Sequence, residues 1–175
     1  VWANTHIRFG VKIGKEVVIG EHVYIGPGVA IGNHVKIQNL AQIYDPAIIE
    51  SEVFVGPGVI CTNDKYPRAT NLDGSQKSAT DWKSEGVKIC RGASIGAGAI
   101  LVAPVSIGEF ALIASGSVVI QDVSPFALVA GNPAKWMKWV GKAGVPLKEV
   151  SENEYLCPIT NARYELNSSG KLNEL

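Results

Sequence analysis

The sequence predicts an all-β chain wound as a prism of short parallel strands. An aliphatic residue recurs at every sixth position, a second apolar series follows four residues later, and a glycine often comes directly after the first aliphatic residue. A helix would instead show apolar spacings of three and four residues, and a hairpin strand would alternate. Each six-residue unit is therefore expected to form one strand and one turn, with three units per coil. The first series is Ile7, Ile13, Ile19, Ile25, Ile31, Ile37, Ile43, Ile49 and Val55, then Cys61, and after a break Ile89, Ile95, Leu101, Ile107, Ile113 and Val119.

The glycines are expected to allow the sharp corners of the prism, because glycine adopts backbone conformations closed to other residues. A repeat of this kind cannot bury its apolar face alone and must stack on its neighbours. The repeats with an aliphatic lead make about five coils within residues 1–124.

Residues 62–88 interrupt the repeat. The separation between Cys61 and Ile89 is not a multiple of six, and the segment is polar without periodicity. A loop of this length in a compact domain is usually functional.

After the last repeat, residues 125–147 are predicted to form a turn and a short amphipathic helix from Lys135 to Val140 that ends near Gly141. Residues 148–175 are expected to form a small strand pair or a weakly held tail.

Composition excludes several classes of protein. The net charge is zero, which disfavours binding to a nucleic-acid backbone. No apolar run is long enough to span a membrane, and no secretory signal is visible. The three cysteines are expected to be free thiols in the cytoplasm. The half motif C-P-I-T at 157–160 lacks the second cysteine of a zinc ribbon, so no metal site is predicted.

The repeat together with A-G-N-P-A-K (130–135) resembles the left-handed β-helix acyltransferases. The stretches V-K-I-Q-N (35–39), I-Y-D (43–45), T-N (62–63) and Y-P-R (66–68) narrow this resemblance to the nucleotide-amino-sugar 3-N-acetyltransferases. The resemblance implies a left-handed parallel β-helix and transfer of acetyl from acetyl-CoA to the 3-amino group of a UDP- or dTDP-linked sugar, for cell-surface polysaccharide synthesis. It also implies a homotrimer with active sites between subunits. The family usually begins about one coil before Val1, so an N-terminal segment is expected to be missing.

The catalytic candidates are Asn63 and Asp45. The resemblance places Asn63 beside the reacting amine, where its amide would orient the nitrogen lone pair; a turn-capping asparagine is the alternative. Asp45 is the best carboxylate candidate, with simple turn chemistry as its alternative. His6, His22 and His34 all occupy outward positions, and their spacing does not align them on coils of three repeats.

Candidates for binding the acceptor are polar or aromatic residues that replace ordinary coil residues, with packing as the alternative: Gln38, Asn39, Tyr44, Arg68 and Trp82. Small residues after the loop should keep the outer surface low, so that the pantetheine arm of coenzyme A can lie along it. The resemblance implies that the turn after the last coil also contacts coenzyme A. The predicted coenzyme residues are Ala97, Ala103, Ala114, Ser115, Asn132, Pro133, Lys135 and Lys138.

Two alternatives remain open at this stage. In the first, the chain is an acetyltransferase whose acceptor is an antibiotic, serine or another small amine or hydroxyl compound. In the second, the chain is a non-enzymatic scaffold or a carbonic-anhydrase-like relative. The histidine spacing disfavours the carbonic-anhydrase version.

Overall fold

The computed structural model describes residues 1–175 and contains only strands, so it has no helix that could span a membrane. Residues 6–131 form a parallel β-helix with three faces, here called sheets A, B and C. Sheet A contains β1 (His6–Ile7), β4 (Tyr24–Ile25), β7 (Gln42–Ile43), β10 (Ile60–Cys61), β13 (Ile100–Leu101) and β16 (Val118–Val119). Sheet B contains β2 (Lys12–Ile13), β5 (Ala30–Ile31), β8 (Ile48–Ile49), β11 (Val87–Ile89) and β14 (Val105–Ile107). Sheet C contains β3 (Val18–Ile19), β6 (Lys36–Ile37), β9 (Phe54–Val55), β12 (Ser94–Ile95), β15 (Leu112–Ile113), β17 (Ala127–Gly131) and β18 (Ala134–Trp139).

Strand register confirms the six-residue repeat. His6 pairs with Tyr24 and Lys36 with Phe54, so one coil takes three repeats. Across the inserted loop Ile60 pairs with Ile100, so the loop stretches that single coil to more than twice the usual length. The last coil is shorter, since Leu112 pairs with Leu128. This two-residue deletion hides the final coil from a strict repeat, which is why the sequence predicts about five coils and sheets A and C contain six parallel strands each.

From Ile19 onward both apolar series point inward and form one continuous core, whereas Ile7 and Ile13 in the first coil are exposed. Ile25, Ile37, Ile95 and Ile113 are fully buried, together with valines and alanines of the second series. From the sequence, the glycines after the aliphatic residues are expected to allow the sharp corners of the prism. The structure shows a different main role. A Cβ on Gly96 would lie 2.5 Å from the amide nitrogen of Ser115 in the next coil, and Gly96 lacks a positive φ. These glycines are needed because neighbouring coils approach too closely for a side chain.

The predicted C-terminal helix is wrong. Residues 134–139 form β18, which pairs antiparallel with β17 after a turn at Asn132–Pro133. The apolar residues that suggest a helical face follow a strand instead, because β17 offers an open sheet edge with unpaired backbone groups.

The tail folds as a separate antiparallel sheet of β19 (Lys148–Ser151), β20 (Glu154–Leu156), β21 (Arg163–Leu166) and β22 (Leu172–Glu174). Three aromatic rings hold it on the prism. Phe126 stacks on Phe110 with a centroid distance of 5.4 Å and meets Tyr164 edge-on at 5.6 Å. The tail is therefore an ordered module and larger than the expected strand pair.

Candidate functional site

The corner between sheets A and B brings Asp45 and Asn63 together on adjacent coils. They are one coil apart, and the amide of Tyr44 donates to the carbonyl of Cys61 at 3.2 Å beside them. Neighbouring coils lie about 4.8 Å apart. The two predicted catalytic residues thus share one short stretch of the prism edge.

The inserted loop leaves and re-enters the prism at this same corner. The amide of Glu85 donates to the carbonyl of Asn63 at 3.0 Å, and the hydroxyl of Ser84 donates to the carbonyl of Asp45 at 2.8 Å. Ser84 and Glu85 could not be identified from the sequence, because an aperiodic loop gives no indication of where its return segment lies. The return segment fixes the backbone of both catalytic candidates.

Polar side chains at the other corners form a ladder between coils. The side-chain oxygen of Asn33 accepts from the amide of Lys15 at 2.8 Å, and that of Asn39 accepts from Glu21 at 2.9 Å. The hydroxyl of Ser51 accepts from the amide of Asn33 at 3.0 Å. In each case the donor lies one full coil before the acceptor. The ladder satisfies backbone amides that the parallel strands leave unpaired at the corners.

Asp45 occupies the same ladder position but has no donor. The residue one coil earlier is Pro27, which lacks an N–H group. A Cβ on Gly26 would lie 2.8 Å from the Asp45 Oδ1 atom, as expected for a side chain in the ladder geometry. Neither the Asp45 carboxylate nor the Asn63 amide has a hydrogen bond within the chain, and both residues are half-buried. Both side chains therefore retain free hydrogen-bonding capacity beside each other, which distinguishes them from Asn33, Asn39 and Ser51.

Three predicted acceptor-binding residues lie near this corner or in the loop. Tyr44 directly precedes Asp45, and its ring lies 5.3 Å from that of Tyr24. Arg68 is exposed in the loop; its guanidinium donates only to the carbonyl of Pro67 and forms no ion pair. Trp82 is half-buried in the same loop.

Gln38 and Asn39 lie at a different corner, between sheets C and A. They border a pocket of about 270 Å³ together with Trp2. Because the Asn39 side chain already accepts the amide of Glu21, it has a structural role in the ladder. The structure therefore does not bring these two residues to the corner of Asp45 and Asn63.

The same corner, between sheets C and A, carries predicted coenzyme residues on its later coils. Ala97 and Ser115 are exposed and lie on adjacent coils, with the amide of Gly116 donating to the carbonyl of Ala97 at 2.8 Å. The amides of Ala97 and Ser115 themselves have no acceptor within the chain. Two free donors thus lie along a low surface, the arrangement that an extended amide-containing ligand requires.

The remaining coenzyme candidates differ in exposure: four are exposed, one is half-buried and one is fully buried. Asn132 and Pro133 form the exposed turn that follows at this corner, and Lys135 and Lys138 are exposed on β18. Ala114 is half-buried, with its amide bonded to the carbonyl of Val129 at 2.9 Å. The prediction that Ala103 lies on the outer surface is wrong: Ala103 is fully buried in the core. The amide of Ala103 donates to the hydroxyl of Thr62 at 3.0 Å.

The two parts of the predicted site lie at opposite edges of sheet A. Asp45 and Asn63 occupy the A–B edge, whereas Ala97 and Ser115 occupy the C–A edge. One face takes six residues at about 3.3 Å each, so the two edges are separated by up to roughly 20 Å.

The three histidines of the chain are surface residues. His6, His22 and His34 are all exposed, and His34 lies 3.1 Å from a carboxylate oxygen of Glu16. The structure contains no cluster of three or more histidine, cysteine, aspartate or glutamate side chains placed to hold a metal ion.

The largest cleft, of about 720 Å³, lies elsewhere, between the prism and the tail. Two of its cations are paired within the chain: Arg91 with Glu52, and Lys142 with Glu174. Arg91 and Lys142 also approach the ring of Phe110, which stacks on Phe126. The two cations nearest to Phe110 are therefore already paired with carboxylates.

Comparison with known proteins supports the assignment of the fold. No protein-family model matches the chain. The chain is 42% identical over 67 residues to the dTDP-3-amino-3,6-dideoxy-α-D-galactopyranose 3-N-acetyltransferase of Aneurinibacillus thermoaerophilus, a match that covers 38% of this chain and 34% of that protein. It is 38% identical over 107 residues to the bifunctional protein GlmU of Thermotoga petrophila, covering 60% of this chain and 20% of that one. The chain thus spans about a third or less of the length of these curated relatives.

Among solved structures, the chain is similar to a hexapeptide-repeat acetyltransferase from Vibrio cholerae O1 biovar eltor complexed with acetyl coenzyme A. The TM-score is 0.61 with 25% identity, and the match covers 76% of this chain and 72% of that one. The register of three repeats per coil, the continuous aliphatic core and these similarities agree. The chain has the fold of the hexapeptide-repeat acetyltransferases.

Proposed function

We propose that the chain is an acetyl-CoA-dependent N-acetyltransferase that acetylates the 3-amino group of a UDP- or dTDP-linked amino sugar in the cytoplasm, for cell-surface polysaccharide synthesis. The observation that carries the proposal is the unpaired carboxylate of Asp45 beside the unpaired amide of Asn63. These groups can accept hydrogen bonds from an amine and hold its lone pair toward an acyl donor. The similarity to a dTDP-amino-sugar 3-N-acetyltransferase supports this acceptor class.

The acyl donor is assigned to the C–A edge. The free amides of Ala97 and Ser115 can bond the pantetheine arm, and the exposed Lys135 and Lys138 can contact phosphate groups. The similarity to a structure that contains acetyl coenzyme A supports this assignment.

The reaction is a direct attack by the neutral amine on the thioester carbonyl. The N–C bond forms, the C–S bond breaks, and the proton lost by nitrogen leaves with the coenzyme thiol. Within one chain, no histidine lies at the corner of Asp45 and Asn63, and the proposed step relies on positioning of the amine rather than on a histidine base. An amine needs less activation than a hydroxyl group, and positioning supplies much of the rate.

We further propose that the active site forms between subunits of a homotrimer. The acceptor and donor parts of the site lie at opposite edges of sheet A in one chain. A neighbouring copy that packs its C–A edge against the A–B edge of the first brings the two parts together. Closed ring symmetry with three such contacts completes three equal sites.

A thiol-release assay tests the reaction. Purified protein with acetyl-CoA is offered UDP- and dTDP-linked 3-amino sugars, each as the 6-carboxylate and the 6-deoxy form, beside free amino sugars, serine and chloramphenicol. We expect turnover with one nucleotide-linked amine. Turnover only with a small free acceptor would show that the acceptor class is wrong.

Asn63→Ala is expected to lower kcat by about 10- to 100-fold, because a displaced nucleophile reacts slowly, while coenzyme affinity stays unchanged. Asn33→Ala is the matched control. It removes an asparagine that bonds a neighbouring coil away from the site, so it should reduce stability and leave kcat unchanged. An unchanged kcat in Asn63→Ala would remove this residue from the chemistry.

Mixed oligomers test the arrangement between subunits. Asn63→Ala disables the acceptor edge, and Ser115→Trp is expected to block the donor edge. Refolding the two impaired variants together at equal amounts should raise activity to about a quarter of the wild-type level, since about one contact in four then joins an intact acceptor edge to an intact donor edge. No recovery, with mixed trimers present by native mass spectrometry, would place the whole site within one chain.

A further inference from the structure

An aromatic pair on the outer face of sheet A lies directly below the proposed acceptor site. The rings of Tyr24 and Tyr44 are 5.3 Å apart at an interplanar angle of 44°. Tyr24 is half-buried, and Tyr44 is 36% exposed. Gly26, one coil below Tyr44, has no side chain between the two rings. The pair therefore presents a tilted aromatic surface to the outside of the prism.

The position of this pair relative to the reacting amine is fixed by the coil spacing. Tyr24 lies on the second coil, Tyr44 on the third and Asn63 on the fourth. Two coil spacings make an axial separation of roughly 10 Å between Tyr24 and Asn63. A group that contacts Tyr24 must belong to a distant part of an acceptor whose amine reaches Asn63. A nucleotide-linked sugar has such a part, since its base is separated from the amino sugar by a ribose and a diphosphate.

We propose that Tyr24 and Tyr44 form the stacking surface for the pyrimidine base of the acceptor, with Tyr24 as a residue that selects nucleotide-linked over free amino sugars. This inference rests on the proposed function. Stacking of a base on an aromatic side chain is a strong and sequence-tolerant contact. The hydroxyl groups of both tyrosines have no hydrogen-bond partner within the chain, so they can also bond the polar edge of a base or the ribose.

Nucleotide binding without turnover tests the surface directly. Calorimetric titration with UDP and with dTDP, neither of which carries an amino sugar, isolates the base and diphosphate. We expect wild-type protein to bind one of them, Tyr24→Phe to bind within about threefold of wild type, and Tyr24→Ala to bind about 5- to 100-fold more weakly. Phe54→Ala is the matched control, since Phe54 also begins a strand and is 39% exposed, but on sheet C. It should bind as wild type does.

Steady-state kinetics distinguish the loss of a binding contact from a loss of folded protein, because unfolding lowers the apparent kcat rather than raising KM for one substrate. Tyr24→Ala should raise KM for the nucleotide-linked acceptor and leave kcat and KM for acetyl-CoA unchanged, because the base lies far from the reacting nitrogen. If Tyr24→Ala binds UDP and dTDP with the same affinities as the wild type does, the inference is overturned. A fall in kcat at unchanged acceptor KM would also overturn it.

The outcome separates this inference from the proposed function. Turnover of a nucleotide-linked amine without any effect of Tyr24→Ala would leave the function standing and remove the stacking surface. Tyrosine-dependent nucleotide binding without any acetyl transfer would retain the surface and reject the transferase. Size-exclusion chromatography of each variant shows that the oligomer is intact, so that a loss of binding reports on the surface.

Discussion

Pro27 controls whether Asp45 is free, and its replacement by alanine tests that role. Alanine supplies the amide that Lys15 and Glu21 supply at the equivalent corners. The Asp45 Oδ1 atom already occupies the position from which Asn33 and Asn39 accept such a bond. We therefore expect Pro27→Ala to add a hydrogen bond from the new amide to the Asp45 carboxylate.

The magnitude follows from two opposing contributions. A hydrogen bond to a charged group contributes a net of about 1.5–3 kcal/mol, and the half-exposed position of Asp45 favours the lower figure. Loss of a proline costs about 0.4–1 kcal/mol, because the unfolded chain gains conformational freedom. Pro27→Ala should thus raise the free energy of unfolding by about 0.5–1 kcal/mol, although proline is removed.

Urea unfolding at one fixed protein concentration measures the change, since the stability of the proposed homotrimer would depend on concentration. A double-mutant cycle with Asp45→Ala isolates the new bond and should give a coupling of about 1.5 kcal/mol. Acetyl transfer should fall at the same time, because the carboxylate is now occupied. A variant that is less stable by the proline contribution alone, with no coupling to Asp45, would refute the ladder argument.

Three further results are expected. Phe126→Ala removes the ring between Phe110 and Tyr164 and should lower the free energy of unfolding by about 3–5 kcal/mol, mostly in the tail. Limited proteolysis should then cleave the tail from an intact prism. Equal protection of the tail in the variant and the wild type would contradict this. Gly96→Ala places a Cβ 2.5 Å from the amide nitrogen of Ser115, so it should lower both the melting temperature and the affinity for coenzyme A, measured by calorimetry; wild-type affinity would exclude that amide from the donor site. Burial raises the pKa of Cys61 to about 12, so iodoacetamide at pH 8 should modify half-exposed Cys90 in the native protein and Cys61 only after unfolding, as peptide mapping would show.

The repeat could be predicted from sequence because its cause is local and periodic. Every coil places an aliphatic residue such as Ile43 or Ile95 in the same inward position, and the sixfold phase records that geometry directly. The same reasoning failed for residues 134–139, because the choice between helix and strand there depends on a free sheet edge. Ala103 was misplaced for a related reason: a small residue has the same appearance in sequence whether it lines a groove or fills a core.

The candidate site could be predicted only in part. The family resemblance indicates Asn63, and the unusual residue in the I-Y-D corner indicates Asp45. The strand register of the structure then places the two residues on adjacent coils. Ser84 and Glu85 could not be found, since their contacts depend on how an aperiodic loop returns to the prism. Tyr24 was missed because an outward aromatic residue on a strand is common, and only the ring of Tyr44 beside it makes a surface.

The free carboxylate of Asp45 illustrates how such a fold can hold a reactive group at small cost in stability. A buried carboxylate without a donor would be strongly destabilising, because its desolvation would not be compensated. Asp45 is half-buried at a corner, so water can satisfy the oxygen that Pro27 leaves without an amide. In the proposed reaction, an acceptor amine that enters the corner replaces this water and meets a carboxylate that is already held in place by the backbone bonds of the coil and by Ser84. Pro27 thus turns a structural position of the ladder into a hydrogen-bond acceptor that is free at a defined place. The increase in the free energy of unfolding in Pro27→Ala measures the stability that the native chain lacks because this carboxylate is unpaired.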